Sequence, residues 1–371
     1  MNGMGQRKSG RVTLQDVART CGYAVSTVSI VLSDAPLSRN VAEKTRQRIR
    51  TVARRLGYYP DVHARTLRQR RSQTIGVLAY DLMDPFCAPV VRGIEAGLSP
   101  AGYLPLLMDA QTERKLFDSY LERILERRAE GVVVIASWVF EETNLLADME
   151  KNHVPIVIVG RDLSKRRIAS VLVDNRTGGA LAMKHLLALG HRRIAIIRGP
   201  QEMFDSAPRW AGACGAAAEA GVELDPKLVF ELPAITDSAF GFEGGLRFMQ
   251  QLLASGRKFT AVLAFDDMTA LGVVRGLTEA GLRVPEDCSV VGFDDVLPAA
   301  LTTPALSTIR QPLREMGLQA ARWILEEVSA SESGRKREAR TYMGQLELVA
   351  RSSSGPPPAA VAGTKDRLSG R

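Results

Sequence analysis

Residues Thr13 to Asp34 read TLQDVARTCGYAVSTVSIVLSD, two short runs of helical periodicity on either side of a glycine. Thr13 and Asp16 stand at the spacing where a threonine hydroxyl caps the first turn of a helix and an acid three residues on caps it in return. Leu14, Val17 and Ala18 recur on one face, which predicts a helix over about 13–20 that Gly22 stops. After the turn a second helix over about 25–32 places Val28, Val31 and Leu32 on one side and directs Val25, Ser26, Ser29 and Ile30 elsewhere. Those four lie where a recognition helix offers its N-terminal residues to a DNA major groove. A third segment, Val41 to Pro60, repeats the pattern with Ile49, Val52, Ala53 and Leu56, then Gly57 as a stop and Pro60 as a barrier to continuation. The reading is a small all-α helix-turn-helix head over residues 1–59, with 60–72 as a linker.

The charge supports that division. Residues 1–72 hold 15 Lys or Arg against 4 Asp or Glu, whereas the whole chain of 371 residues has a formal net charge of only +8. All the positive excess therefore sits in the first fifth, as a binder of the DNA backbone requires, because Lys and Arg contacts release condensed counterions. A merely solvated face usually carries both signs.

From Thr74 onward apolar runs alternate with amphipathic ones: TIGVLAY, YLPLLMD, GVVVIAS and PIVIVG, then ASVLVD, RRIAIIRG, AVLAFD and CSVVGFD. Continuous Val, Ile and Leu suit strands buried on both faces, and the β-then-α order implies parallel sheets. Two successive sets imply an α/β body of two doubly wound parallel-sheet lobes, to which LSTIRQPLREMG and TYMGQLELVAR add a last helix and strand. Ligands of such sheets bind beyond the carboxyl ends of the strands. Asp84 and Phe86 follow the first run, Trp138 follows GVVVIAS, Arg161 follows PIVIVG, Asp266 and Asp294 end AVLAFD and CSVVGFD, and Arg209 lies in DSAPRWAG. The same residues also suit structural work: the two aspartates as helix caps, Arg209 as an ion-pair partner, Phe86 and Trp138 as core.

Taken together, TLQDVARTCGYAVSTVSIVLSD, EKTRQRIRTVARRLGYYPDVHARTLRQRRSQTIGVL, VDNRTGGALAMKHLLALGHRRIAIIRGP, AVLAFDDMTALG and LTTPALSTIRQPLREMG closely resemble the lactose-repressor (LacI/GalR) family of bacterial transcription regulators, over about residues 13–352. The resemblance implies a periplasmic-binding-protein-like body over 73–352, with lobe 1 at about 73–168 and 303–330 and lobe 2 at about 169–302 and 338–352. It gives base reading to Val25, Ser26 and Ile30, and phosphate contact or helix fixing to Thr13, Thr27 and Ser29. In 60–72 it implies a short helix that orders on the operator, with Leu67 wedged between base pairs and Ala64, Arg65 and Arg68 along the minor groove; a solvated tether is the alternative. Arg209, Asp266 and Asp294 match residues that hydrogen-bond the effector, a sugar or related polar compound. Ile30 replaces a common arginine, which exchanges a guanine contact for a thymine-methyl contact. Asp266 replaces a common asparagine, so hydroxyl-rich or cationic ligands are favoured over anionic ones.

No catalytic constellation appears. His63, His153, His185 and His191 are scattered, the four cysteines form no ligand pair, and no phosphate-cradling glycine motif is present, so neither an enzyme nor a cofactor is expected. A solute-binding protein is the rival of another class, but it needs no basic head and would carry an export signal. The sequence reading is a cytoplasmic repressor that binds double-stranded operator DNA as a homodimer, without membrane association. Residues 353–371, rich in Ser, Pro, Gly and Ala and lacking apolar heptads, predict a disordered tail and no coiled-coil tetramer.

Overall fold

The computed structural model describes residues 12–33, 36–58, 71–126, 129–136, 154–233, 240–333 and 339–358. They form two compact units that part between Ser72 and Gln73.

In the first unit, α1 (Leu14–Cys21) starts on the reciprocal cap expected from its sequence: the Asp16 N–H donates to Thr13 Oγ1 at 3.3 Å and the Thr13 N–H to Asp16 Oδ2 at 3.0 Å. It stops at Gly22, whose φ of 76° is a left-handed backbone that glycine adopts without steric cost. Helices α2 (Val25–Leu32) and α3 (Glu43–Leu56) begin on Ala24 and Ala42 with no side-chain cap. Burial holds them instead: Val17, Val28, Val31, Ile49 and Val52 close one core, each such side chain contributing roughly 1.5–3 kcal/mol. Leu32, expected on the buried face, is only partly covered.

The second unit runs β1 (Thr74–Ala79), α4 (Cys87–Leu98), β2 (Leu104–Asp109), α5 (Arg114–Glu126), β3 (Gly131–Ile135), β4 (Ile156–Val159) and β5 (Ala169–Val173). It continues with α6 (Asn175–Ala188), β6 (Ile194–Arg198), α7 (Ser206–Glu219), β7 (Val229–Glu231), α8 (Phe240–Ala254), β8 (Ala261–Leu263), α9 (Asp267–Glu279), β9 (Ser289–Asp294), α10 (Leu297–Leu301) and β10 (Ser307–Arg310). It ends with α11 (Leu313–Glu332), β11 (Thr341–Gly344) and β12 (Glu347–Val349). Two six-stranded sheets result, ordered β11-β5-β4-β3-β1-β2 and β12-β10-β9-β8-β6-β7. Among the described residues every pairing is parallel except that of β12 with β10.

The lobe boundaries differ from those read in the sequence. Strands β5 and β11, assigned there to lobe 2, join the first sheet with Val157 opposite Ala169 and Ser170 opposite Thr341, and β10, assigned to lobe 1, joins the second with Gly292 opposite Thr308. A short parallel strand buried on both faces is apolar throughout, so its composition carries no mark of the sheet it enters. Helix α11 packs on the first sheet, so the chain passes between lobes after Val173, after Arg310 and after Gly344.

The segment from Ser353 is also a correction. Ser353 is fully buried, its hydroxyl donating to the Val290 carbonyl at 2.6 Å and accepting the Ser307 N–H at 2.8 Å, and His191 Nε2 lies 2.9 Å from the Gly355 carbonyl. This segment is held by hydrogen bonds to backbone and to the side chains of His185, His191, Ser289 and Ser307, which composition does not register. Residues 359–371 lie outside the described residues.

Glycines set the helix spacing beside the sheets. A Cβ on Gly179 of α6 would come within 2.0 Å of the Arg209 carbonyl oxygen, and one on Gly212 of α7 within 1.9 Å of the Arg176 carbonyl oxygen, so the two helices cross backbone against backbone. Gly93 with Gly317 and Gly245 with Gly272 do the same for α4 with α11 and for α8 with α9.

Candidate functional site

The carboxyl ends of both sheets open on one cleft of about 1120 Å³, counting the part open to solvent. The first sheet contributes Tyr80, Asp81 and Asp84 beyond β1, Ala136 beyond β3 and Val173 at the end of β5; the second contributes Pro200, Phe265, Asp266, Asp294 and Gln311 beyond or at the ends of its strands.

Arg209 is its best-anchored group. The α6–α7 crossing brings Asn175 at the start of α6 against it, so that Nε donates to Asn175 Oδ1 at 2.9 Å; Nη1 donates to the Phe265 carbonyl at 2.9 Å and Nη2 pairs with Asp205 at 2.9 Å. The guanidinium carbon lies 3.7 Å from the Phe293 ring centroid, so aromatic faces and hydrogen bonds fix its plane together. A guanidinium has five N–H donors, which leaves some for a ligand after these three are used.

Asp294 ends β9 with φ at 112°, a backbone that costs a non-glycine residue on the order of 1–3 kcal/mol. The following residue pins that geometry: Asp295 pairs with Arg310 at 2.7 Å and with Arg351 at 2.5 Å. The Asp294 carboxyl accepts from Gln311 Nε2 at 2.5 Å and lies 3.8 Å from Arg209 Nη2. Burial raises its pKa well above the ordinary value; Arg209 opposes the shift, while Asp267, Asp266 and Asp84 reinforce it.

Asp266 has both roles that its sequence position allowed: it caps α9 by accepting the Thr269 N–H at 2.7 Å, and it lines the cleft, where burial raises its pKa. Asp294 caps nothing, since the N-cap of α10 is Val296. Asp84 accepts the Phe86 N–H at 3.0 Å. It is open to cleft solvent but ringed by protein, and that ring, then Asp266, Asp81 and Asp205, pushes it towards the neutral form, an effect its open side limits. Behind the wall, Asp267 accepts the Thr308 hydroxyl at 2.6 Å and the Val296 N–H at 2.9 Å, and burial raises it to about 7.

Of the residues proposed from sequence, Asp84, Phe86, Arg209, Asp266 and Asp294 line this cleft together. Arg161 is not among the lining residues; its guanidinium lies 6.0 Å from the Phe204 ring centroid. Trp138 lies outside the described residues. Sequence reading missed Asp81, Asn175, Asp205 and Gln311. Asp205 was within reach, standing four residues before Arg209 on the same helical turn, whereas Asn175 and Gln311 are brought in by crossings that no local pattern announces. In the head, Thr13, Val25 and Ser26 are exposed, and Thr27, Ser29 and Ile30 are half-buried on α2. Ala64, Arg65, Leu67 and Arg68 lie outside the described residues.

Residues 13–61 match the profile of the bacterial regulatory proteins of the lacI family, and residues 183–354 that of a periplasmic binding protein-like domain. Over 344 residues the chain is 32% identical to the HTH-type transcriptional repressor PurR of Erwinia tasmaniensis, which covers 92% of this chain and 96% of that one. The chain belongs to the lacI family. Another relative in the same family range, the HTH-type transcriptional repressor CytR of Escherichia coli, is 30% identical over 94% of this chain and 98% of its own. Among solved structures, the Lac repressor dimer bound to operator and the anti-inducer ONPF matches with a TM-score of 0.78 at 26% identity, over 93% of this chain and 100% of that one. The complex of the transcriptional regulator CelR with cellobiose matches at 0.68 and 28%, over 92% and 100%. This lacI-family chain is a DNA-binding transcriptional regulator and not an enzyme. No described helix is long and apolar enough to cross a membrane.

Proposed function

We propose that this regulator binds a two-fold symmetric operator as a homodimer, and that a sugar-like polar effector in the cleft changes its operator affinity. One observation carries the reading: the anchored Arg209, Asp294 and Asp266 converge between two lobes of a chain whose net positive charge is confined to the helix-turn-helix head and its linker. Val25, Ser26 and Ile30 read bases, Thr13, Thr27 and Ser29 hold phosphates or the helix, and Leu67 is the wedge of the hinge, flanked by Ala64, Arg65 and Arg68. The solved relatives support both halves, one on operator and one with a disaccharide. Effector and operator affinities are then linked, each ligand altering the other's binding by the same factor, typically 5- to 150-fold.

The test is binding to DNA from upstream of the chain's own gene, followed by fluorescence anisotropy. Wild type should form a sequence-preferring complex that weakens steeply with salt. Leu67→Ala should lower operator affinity on the order of tenfold or more while the thermal midpoint stays unchanged. A complex indifferent to DNA sequence would overturn the regulatory reading, and an unaltered Leu67→Ala complex would reduce residues 60–72 to a tether.

A further inference from the structure

Among the described residues, five aspartates, Asp81, Asp84, Asp205, Asp266 and Asp294, line the cleft with a single arginine, Arg209. That arginine is already engaged by Asn175, the Phe265 carbonyl and Asp205, and cannot neutralise the rest. Asp205 supplies a second, independent observation. It is 8% exposed, its Oδ2 pairs with Arg209, and its Oδ1 is enclosed with no hydrogen-bond partner among the described residues. A buried carboxylate oxygen without a donor costs free energy until something supplies one.

From this we infer that the effector carries a protonated amino group, presented to Asp205 and the neighbouring carboxylates, beside hydroxyl or ring atoms on the apolar wall of Phe86, Met203 and Met268. The inference rests on the cleft being the effector site and names the chemistry it takes. A neutral polyol brings donors but no charge, so any acid that ionises beneath it is left as desolvated negative charge. An anion adds to the repulsion. An ammonium group brings three donors and the compensating charge at once, and the ring of Phe86 suits a cation or a sugar face.

The test uses the full-length chain with matched pairs: D-glucosamine with D-glucose, D-galactosamine with D-galactose, and 1,4-diaminobutane with 1,4-butanediol. Thermal shift and calorimetry at pH 7.5 are followed by release from the operator. At least one amine should bind at least tenfold more tightly than its neutral partner and lose that advantage on N-acetylation. Asp205→Asn, with its unliganded midpoint recorded to confirm folding, should cut the amine's affinity at least tenfold and narrow the gap between the pair. A panel in which every amine that binds is matched by its neutral partner, or in which no amine binds, overturns the inference. The two failures are separable: a neutral sugar that alters the operator complex keeps the cleft as effector site while removing the cationic requirement. If neither the panel nor a total small-molecule extract alters that complex, the effector reading itself falls.

Discussion

Asp294 shows how one residue combines fold and function at odds with each other. Its φ of 112° favours glycine, and its carboxyl is buried near three other acids, so the fold would gain from replacing it. It is held in place by Gln311, Arg209 and the ion pairs of the next residue, which directs a strained carboxyl into the cleft. Exchanging the acid for its amide while keeping the shape therefore separates the two roles. Asp294→Asn should lose the response of the operator complex to effector, with ligand affinity down by about tenfold to a hundredfold, the roughly 1–3 kcal/mol of leaving a buried ligand donor unsatisfied. Its thermal midpoint should be equal to or above that of wild type. Titration of the operator complex and a melting curve of the same preparation check both halves, and an undiminished ligand response would remove Asp294 from the site.

Among the elements, the α6–α7 crossing carries Arg209 to its place, because Gly212 lets the Arg176 carbonyl come within 1.9 Å of where a Cβ would stand. Gly212→Ala has no flexible side chain to displace there, so one helix must move by an ångström or more. The expected cost is roughly 1–3 kcal/mol of stability, with weaker effector binding because Asn175 and Arg209 separate. Denaturant unfolding and ligand titration measure the two effects; Gly215→Ala on the same helix, with open space around its Cβ, is the control. This crossing also marks the limit of what sequence could tell. The capping of α1, the stops at Gly22 and Gly57, and the strand runs were legible because each is a local pattern. Arg209, Asp266 and Asp294 were legible through motif position. The membership of β5 and β10, the pairing of Asn175 with Arg209 and the anchored Ser353 depend on contacts between segments far apart in sequence, which periodicity does not encode.

At the scale of the whole body, the buried ionisable groups set opposite limits on stability. Asp267, 1% exposed, has its pKa raised from 3.8 to about 7, so the native state keeps a proton that the unfolded chain gives up. That stabilisation is complete below 3.8 and is lost as pH rises through about 7, a swing on the order of a few kcal/mol at about 1.4 per unit. Burial likewise raises Asp266 and Asp294. His185 and His191, which anchor Ser354 and Gly355, are lowered by burial from 6.5, so the neutral ring is the folded form and their contribution is lost as pH falls below that value. Below about pH 7 the two effects oppose each other, the acid lowering the thermal midpoint as pH rises and the histidines raising it, and above about 7 the Asp267 contribution is spent. Asp267→Asn should therefore steepen the rise of the midpoint between about pH 5 and 7. It should also lower the midpoint overall, because an amide has one oxygen and cannot accept from both the Thr308 hydroxyl and the Val296 N–H. Melting curves from pH 5 to 9 decide it: a slope below pH 7 that is the same in the variant as in wild type would mean that Asp267 is already ionised in the folded state. A cationic effector should raise the midpoint most at alkaline pH, where the cleft carboxylates are charged and need a partner.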